Sequence, residues 1–195
     1  MKIIAITSPI AVDEEAVVIR RLLANGIDIV HLRKPEVGID YCRELLEQLT
    51  SLERKRIVVH DYFVLYEEYG LQGAHLNRNI THYPTHYDGS RSCSCHSFDE
   101  VVRYKEECDY LFLSPIFDSI SKVGYSSQFS DEELRRAANE GIIDSRVIAL
   151  GGVTFDMIPY LRTLNFGGVA MLGALLNIDT LLNEGEDFLS SRTLF

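Results

Sequence analysis

Short apolar runs alternate with longer amphipathic stretches from one end of this chain to the other. Eight runs have the length and bounding turn residues of strands: 2–7, 27–33, 56–60, 73–76, 90–96, 110–114, 146–150 and 168–172. Between them, apolar residues recur at helical spacing over 13–24, 41–52, 63–69, 97–108, 131–139 and 156–164, with a further stretch from Ile178 onward. Runs such as Val147-Ile148-Ala149-Leu150 and Leu111-Phe112-Leu113 are apolar at consecutive positions, as parallel strands covered on both faces require. Strict strand–helix alternation with eight strands therefore predicts an α/β fold, a single (β/α)8 TIM barrel over 1–195, in preference to an open doubly wound sheet. One link breaks the rule. The segment 77–89 holds Pro84 and the polar rings His82, Tyr83, His86 and Tyr87 without periodicity, and is expected to be an irregular loop instead of a helix.

Helix boundaries carry their own signals. Ser97-Phe98-Asp99-Glu100 has the spacing of a capping box, and Gly141 and Gly167 stand where helices should end. Four cysteines (Cys42, Cys93, Cys95, Cys108) are spaced 51, 2 and 13 residues apart, which fits neither a zinc knuckle nor a disulfide framework, so buried free thiols are expected. No apolar run reaches the roughly 20 residues of a membrane helix. The opening MKIIAITSPI is too short for a secretory signal, and a cytoplasmic location is expected. A formal charge of −10 excludes nucleic acid and anionic membrane as expected partners, because no basic stripe is present to meet a phosphate backbone. Small anionic ligands remain compatible, as does a homo-oligomer.

In barrels of this kind chemistry gathers at the C-terminal ends of the strands. There the chain places His31-Leu32-Arg33-Lys34, His60-Asp61, His75-Leu76-Asn77, Ser94-Cys95-His96, Ser114-Pro115, Gly151-Gly152 and Leu172-Gly173. Glycine-bearing turns after the last two strands let backbone N–H groups approach an anion, although Gly151-Gly152 would serve equally as a tight turn. The loop after the sixth strand carries Ser119, Ser121 and Lys122, two hydroxyls and an ammonium able to clamp a phosphate. Asp61 suits Mg²⁺, or alternatively a helix cap. The strand-end histidines His31, His60, His75 and His96 offer imidazole ligands for a transition-metal hydrolase site as a separate reading. His82 and His86 stand four apart, but Pro84 between them argues against a helical metal pair.

These segments, together with Val59-His60-Asp61, Gly73-Ala74-His75-Leu76, Ser114-Pro115-Ile116-Phe117 and Ala149-Leu150-Gly151-Gly152-Val153, resemble in order and spacing the thiamine phosphate synthases and their TenI-type relatives. The resemblance implies a transferase of thiamine biosynthesis. It would join a pyrimidine methyl diphosphate to a thiazole phosphate and release diphosphate with the help of Mg²⁺. By that resemblance, Ser94 and Lys122 are the catalytic pair, and His31, Arg33, His60, Ser94 and Lys122 bind the pyrimidine diphosphate. Ser119, Ser121, Gly152, Leu172 and Gly173 would hold the thiazole phosphate, and Asp61, with Asn79 as a weaker neighbour, the Mg²⁺. A TenI-like thiazole tautomerase, or a binding protein for thiazole or thiamine phosphate, is the alternative. The family pattern has Gln-Leu-Arg-Glu-Lys where this chain has His31-Leu32-Arg33-Lys34-Pro35. It has Asn where His60 stands and a second carboxylate near Ile80.

Overall fold

The computed structural model describes residues 1–77, 82–118 and 128–172. Eight strands follow one another in chain order as a closed barrel. They are β1 (Lys2–Ile6), β2 (Ile29–Leu32), β3 (Ile57–Val59), β4 (Gly73–Leu76), β5 (Ser90–Cys95), β6 (Tyr110–Leu113), β7 (Val147–Leu150) and β8 (Gly168–Met171). The closed eight-stranded barrel expected from the alternation is thus the one observed, with strands a residue or two shorter at most ends, and the stretch expected from Ile178 onward lies outside the described residues. Among the described residues of 77–89 there is no helix, as the lost periodicity predicts. The chain falls into two compact units, one comprising Met1–Ile3 with Arg91–Met171 and the other built on Ile4–Ser90.

In the unit built on Ile4–Ser90, parallel register pairs Ile6 with His31, His31 with Val58, and Val58 with Gly73. Side chains alternate across a strand, so these residues share one face, and His60 and His75, two positions further on, lie on it as well. Helix α1 (Glu15–Ala24) buries Ala16, Ile19, Leu22 and Leu23. The single helix expected over 41–52 is two: α2 (Ile39–Glu47) and α3 (Ser51–Arg54). The break is local. The Thr50 side chain accepts from Glu53 N–H while the Glu53 carboxylate takes the Thr50 N–H, a full capping box that restarts the helix. Helix α4 (Val64–Tyr69) completes this unit before β4.

In the other unit, Ser94 is in register with Phe112, Phe112 with Ile148, and Ile148 with Gly168. Helix α5 (Phe98–Tyr104) begins at Ser97, whose hydroxyl accepts from Glu100 N–H. The reciprocal half of the expected capping box is diverted, because the Glu100 carboxylate accepts from His96 N–H. Helix α6 (Asp131–Asn139) carries a complete box between Ser130 and Glu133. After β7 comes a 3₁₀ turn (Phe155–Met157) and then α7 (Ile158–Thr163). Gly141 ends α6 with a φ of +72°, but after α7 the left-handed position is taken by Asn165, at φ +64°. Gly167 is needed for a different reason: a Cβ there would strike the Ser145 carbonyl. No helix among the described residues is long and apolar enough to cross a membrane.

Candidate active site

The residues that follow β2 and β3 are positioned by hydrogen bonds between neighbouring strand ends. The Thr7 hydroxyl accepts from Arg33 N–H (3.0 Å) and donates to the Arg33 carbonyl (3.3 Å), fixing the backbone where the half-buried guanidinium departs. One oxygen of Asp61 accepts from Lys34 N–H at 3.0 Å, which orients a carboxylate that is itself half-buried. Alternation along the strand puts His31 and Arg33 on one side and Leu32 and Lys34 on the other.

Lys34 therefore does not join Arg33. Its ammonium is buried against Glu15 Oε1 at 2.7 Å and donates to the Ser8 and Ile10 carbonyls at 2.8 and 2.7 Å. The second Glu15 oxygen accepts from the Tyr41 hydroxyl at 2.7 Å, and burial leads the causes that push this phenol up to about 12. The network is a structural anchor between α1, β2 and α2 that no motif in the sequence marks. The signal that could have found it is strand parity, which sends Lys34 to the helix-covered side.

Facing the opposite way, His31, His60 and His75 form a buried cluster. His31 Nδ1 and His60 Nε2 are 2.7 Å apart, and the His60 and His75 rings stack with centroids 4.2 Å apart. Burial holds all three imidazoles below their usual range, His75 to about 3. The fourth strand-end histidine has a separate role. His96 Nδ1 lies 2.9 Å from the Ser114 carbonyl, so that nitrogen carries a proton and donates.

In that second unit Ser94 sits half-buried near the end of β5. Gly151 and Gly152 follow β7 with φ of +94° and +64°, values that L side chains rarely adopt. Phe117 N–H donates to the Gly151 carbonyl at 3.0 Å and Ile116 N–H to the Leu150 carbonyl at 2.9 Å, laying the chain after β6 along this turn. A Cβ on Gly152 would collide with the Asp118 carbonyl. Leu172, half-buried, directly follows β8. All four cysteines are buried and unbridged, and burial is the main cause raising the Cys42 thiol to about 11.

Of the residues singled out from the sequence, His31, Arg33, His60, Asp61, Ser94, Gly152 and Leu172 each stand at or just beyond the C-terminal end of a strand. Asn79, Ser119, Ser121, Lys122 and Gly173 lie outside the described residues. Fold and strand ends together define the class of (β/α)8 barrels that carry their polar side chains at the carboxyl ends of the strands.

Residues 3–175 match the sequence model of the family Thiamine monophosphate synthase, and the chain belongs to that family. It is 42% identical to a thiamine phosphate pyrophosphorylase of Bacteroides thetaiotaomicron whose crystal structure superposes with a TM-score of 0.83, covering 91% of this chain and 85% of that one. A thiamine-phosphate synthase of Photorhabdus laumondii subsp. laumondii is 28% identical over 166 residues, 80% of this chain and 76% of the relative. The thiamine phosphate pyrophosphorylase of Pyrococcus furiosus, at 19% identity and a TM-score of 0.76 over 97% of this chain and 96% of that one, shares the fold.

Proposed function

We propose that this chain is a thiamine-phosphate synthase, coupling a pyrimidine methyl diphosphate to a thiazole phosphate with release of diphosphate. The observation that carries the reading is the pairing of strand ends β2 and β3. Arg33 is clasped by Thr7, and the Asp61 carboxylate is oriented by Lys34 N–H, in a chain that matches the family from residue 3 to 175. The bond between the pyrimidine methylene carbon and the diphosphate oxygen breaks, and its electron pair leaves with the diphosphate. The thiazole nitrogen then supplies the pair that forms the new carbon–nitrogen bond. The demand on the protein is stabilisation of the departing anion. Arg33 meets it with a fixed fork of donors, Lys122 with a second positive charge, and Ser94 with a hydroxyl at the reacting centre.

Mg²⁺ fits Asp61 by its chemistry, because a hard cation takes one or two carboxylates and completes its shell with phosphate oxygens and water. One Asp61 oxygen is engaged by Lys34 N–H, and the half-buried carboxylate retains acceptor capacity for the ion. When bound, Mg²⁺ would neutralise the diphosphate as it leaves. The Gly151-Gly152 turn, Leu172-Gly173, Ser119 and Ser121 hold the thiazole phosphate in this reading, and His31 and His60 border the pyrimidine. A cytoplasmic setting accords with such substrates.

Incubating the protein with both substrates and Mg²⁺ should release diphosphate and form thiamine phosphate in equal amounts, and no release above background would remove the proposal. A second reading, a TenI-like relative that binds thiazole or thiamine phosphate with weak or no turnover, is favoured by one observation. The ammonium next to Arg33 is consumed by Glu15, and Pro35 follows it. Calorimetric binding of the phosphate ligands without diphosphate release would select that reading.

A further inference from the structure

Three buried histidines, His31, His60 and His75, meet within the unit built on Ile4–Ser90. An interior that needs only hydrogen bonds is served by Gln and Asn. Two imidazoles beside a third add chiefly what amides lack, an sp² nitrogen lone pair that ligates transition metals. We propose that His31, His60 and His75 form a binding site for a divalent transition-metal ion of the Zn²⁺ or Co²⁺ type, with donors separate from Asp61.

The strand register brings the three rings to one face, and one ligand nitrogen from each lies within 4.8 Å of the others. Zn–N bonds of about 2.0–2.1 Å in a tetrahedral site set the nitrogens roughly 3.4 Å apart. The 2.7 Å contact between His31 Nδ1 and His60 Nε2 must therefore open by less than an ångström, the proton that one of these nitrogens donates must move to the other nitrogen of its ring, and the wider pairs must close. The stack of His60 on His75, inclined by 18°, has to splay, since parallel rings do not aim their lone pairs at one ion. The terminal torsion of histidine is broad, so this is a side-chain movement on fixed strands. His31 already stands edge-on to both partners, at 75° and 71°.

Three imidazoles and no carboxylate select against Mg²⁺ and for Zn²⁺, Co²⁺ or Ni²⁺. Neutral ligands leave the charge of the ion uncompensated in a buried setting, so the fourth position would take hydroxide or an anionic ligand. Asp61, next in sequence to His60, keeps the oxygen chemistry for the harder ion.

The test is titration of the chelator-treated full chain with Co²⁺, read by visible absorption and calorimetry. One equivalent should bind with the intense bands of a four-coordinate site, be displaced by Zn²⁺, and resist a large excess of Mg²⁺. H31Q/H60N, which replaces two imidazoles by amides, should weaken Co²⁺ binding by more than tenfold, since loss of even an outer-shell partner typically costs about 10–100-fold. D61N should leave Co²⁺ binding intact. Independently of any variant, one equivalent of Zn²⁺ should shift the ring signals of three of the six histidines in an NMR spectrum of the wild-type chain. Substoichiometric binding, unchanged Co²⁺ binding in a folded H31Q/H60N, or Zn²⁺ shifts at fewer than three rings would overturn the proposal. These readouts concern binding alone, so they stand or fall apart from the synthase reaction.

Discussion

The Asp61 carboxylate is a single side chain on which the proposed chemistry turns. Its orientation comes from a backbone donor, Lys34 N–H at 3.0 Å, so replacing the carboxylate by an amide removes charge with little effect on shape. A charge-assisted contact contributes about 1.5–3 kcal/mol, and D61N is therefore expected to lower kcat/KM by roughly 10–150-fold. R33Q should fall in the same range, and steady-state diphosphate release measures both. Neither variant should shift the unfolding midpoint appreciably. The places of Arg33 and Asp61 just beyond β2 and β3 were legible from the apolar runs that precede them, while the role of Arg33 came from the family resemblance and Asp61 read also as a helix cap. The anchoring role of Lys34 was not legible, because a one-dimensional motif does not show which side of the strand a cation takes. The histidines were recognised as strand-end residues, but their meeting depends on register, which fixes His31 against Val58 and Val58 against Gly73.

At the scale of elements, the contact of α1 with the end of β2 rests on the Lys34–Glu15 pair, 1% and 4% exposed. Breaking one side of a buried pair typically costs about 3–5 kcal/mol, so K34M should lower stability in urea by that amount. Replacing Glu15 as well, in K34M/E15L, should recover part of the loss, because no unpaired charge then remains. The turn after β7 makes a second demand. G152A places a Cβ against the Asp118 carbonyl at φ +64°, and should cost at least 1 kcal/mol, the low end for a strained backbone of about 1–3 kcal/mol. G38A is the control. A Cβ on Gly38, the N-cap of α2 with φ −72°, meets nothing within 4 Å, so G38A should lose only the N-cap preference of Gly over Ala, about 0.5 kcal/mol. Helix and strand existence followed from periodicity. The split of 41–52 at Thr50 did not, since Thr50–Glu53 competes with a helical pattern that runs through it.

The histidine cluster also makes the stability of the whole molecule depend on pH. Burial holds the three imidazoles below the unfolded value of about 6.5, so the unfolded chain takes up protons first. Their contribution is fully present above about pH 6.5 and is lost as pH falls below it toward the folded values, near 3 for His75. Urea midpoints of the metal-free protein should fall more steeply between roughly pH 7 and pH 5 than those of H31Q/H60N, which keeps the carboxylates of the wild type and one of its three buried imidazoles. Equal slopes would mean that these rings are protonated without penalty in the fold. Barrel topology itself was legible, because eight alternating apolar runs leave few ways to cover both faces of a parallel sheet. In the proposed reaction the polar strand ends of this barrel drive departure of diphosphate. The most direct measurement is a single incubation of the purified chain with the pyrimidine diphosphate, the thiazole phosphate and Mg²⁺, following diphosphate and thiamine phosphate together. Equimolar appearance of both, suppressed in D61N and R33Q, is the predicted result; phosphate ligands bound with neither product formed would contradict it.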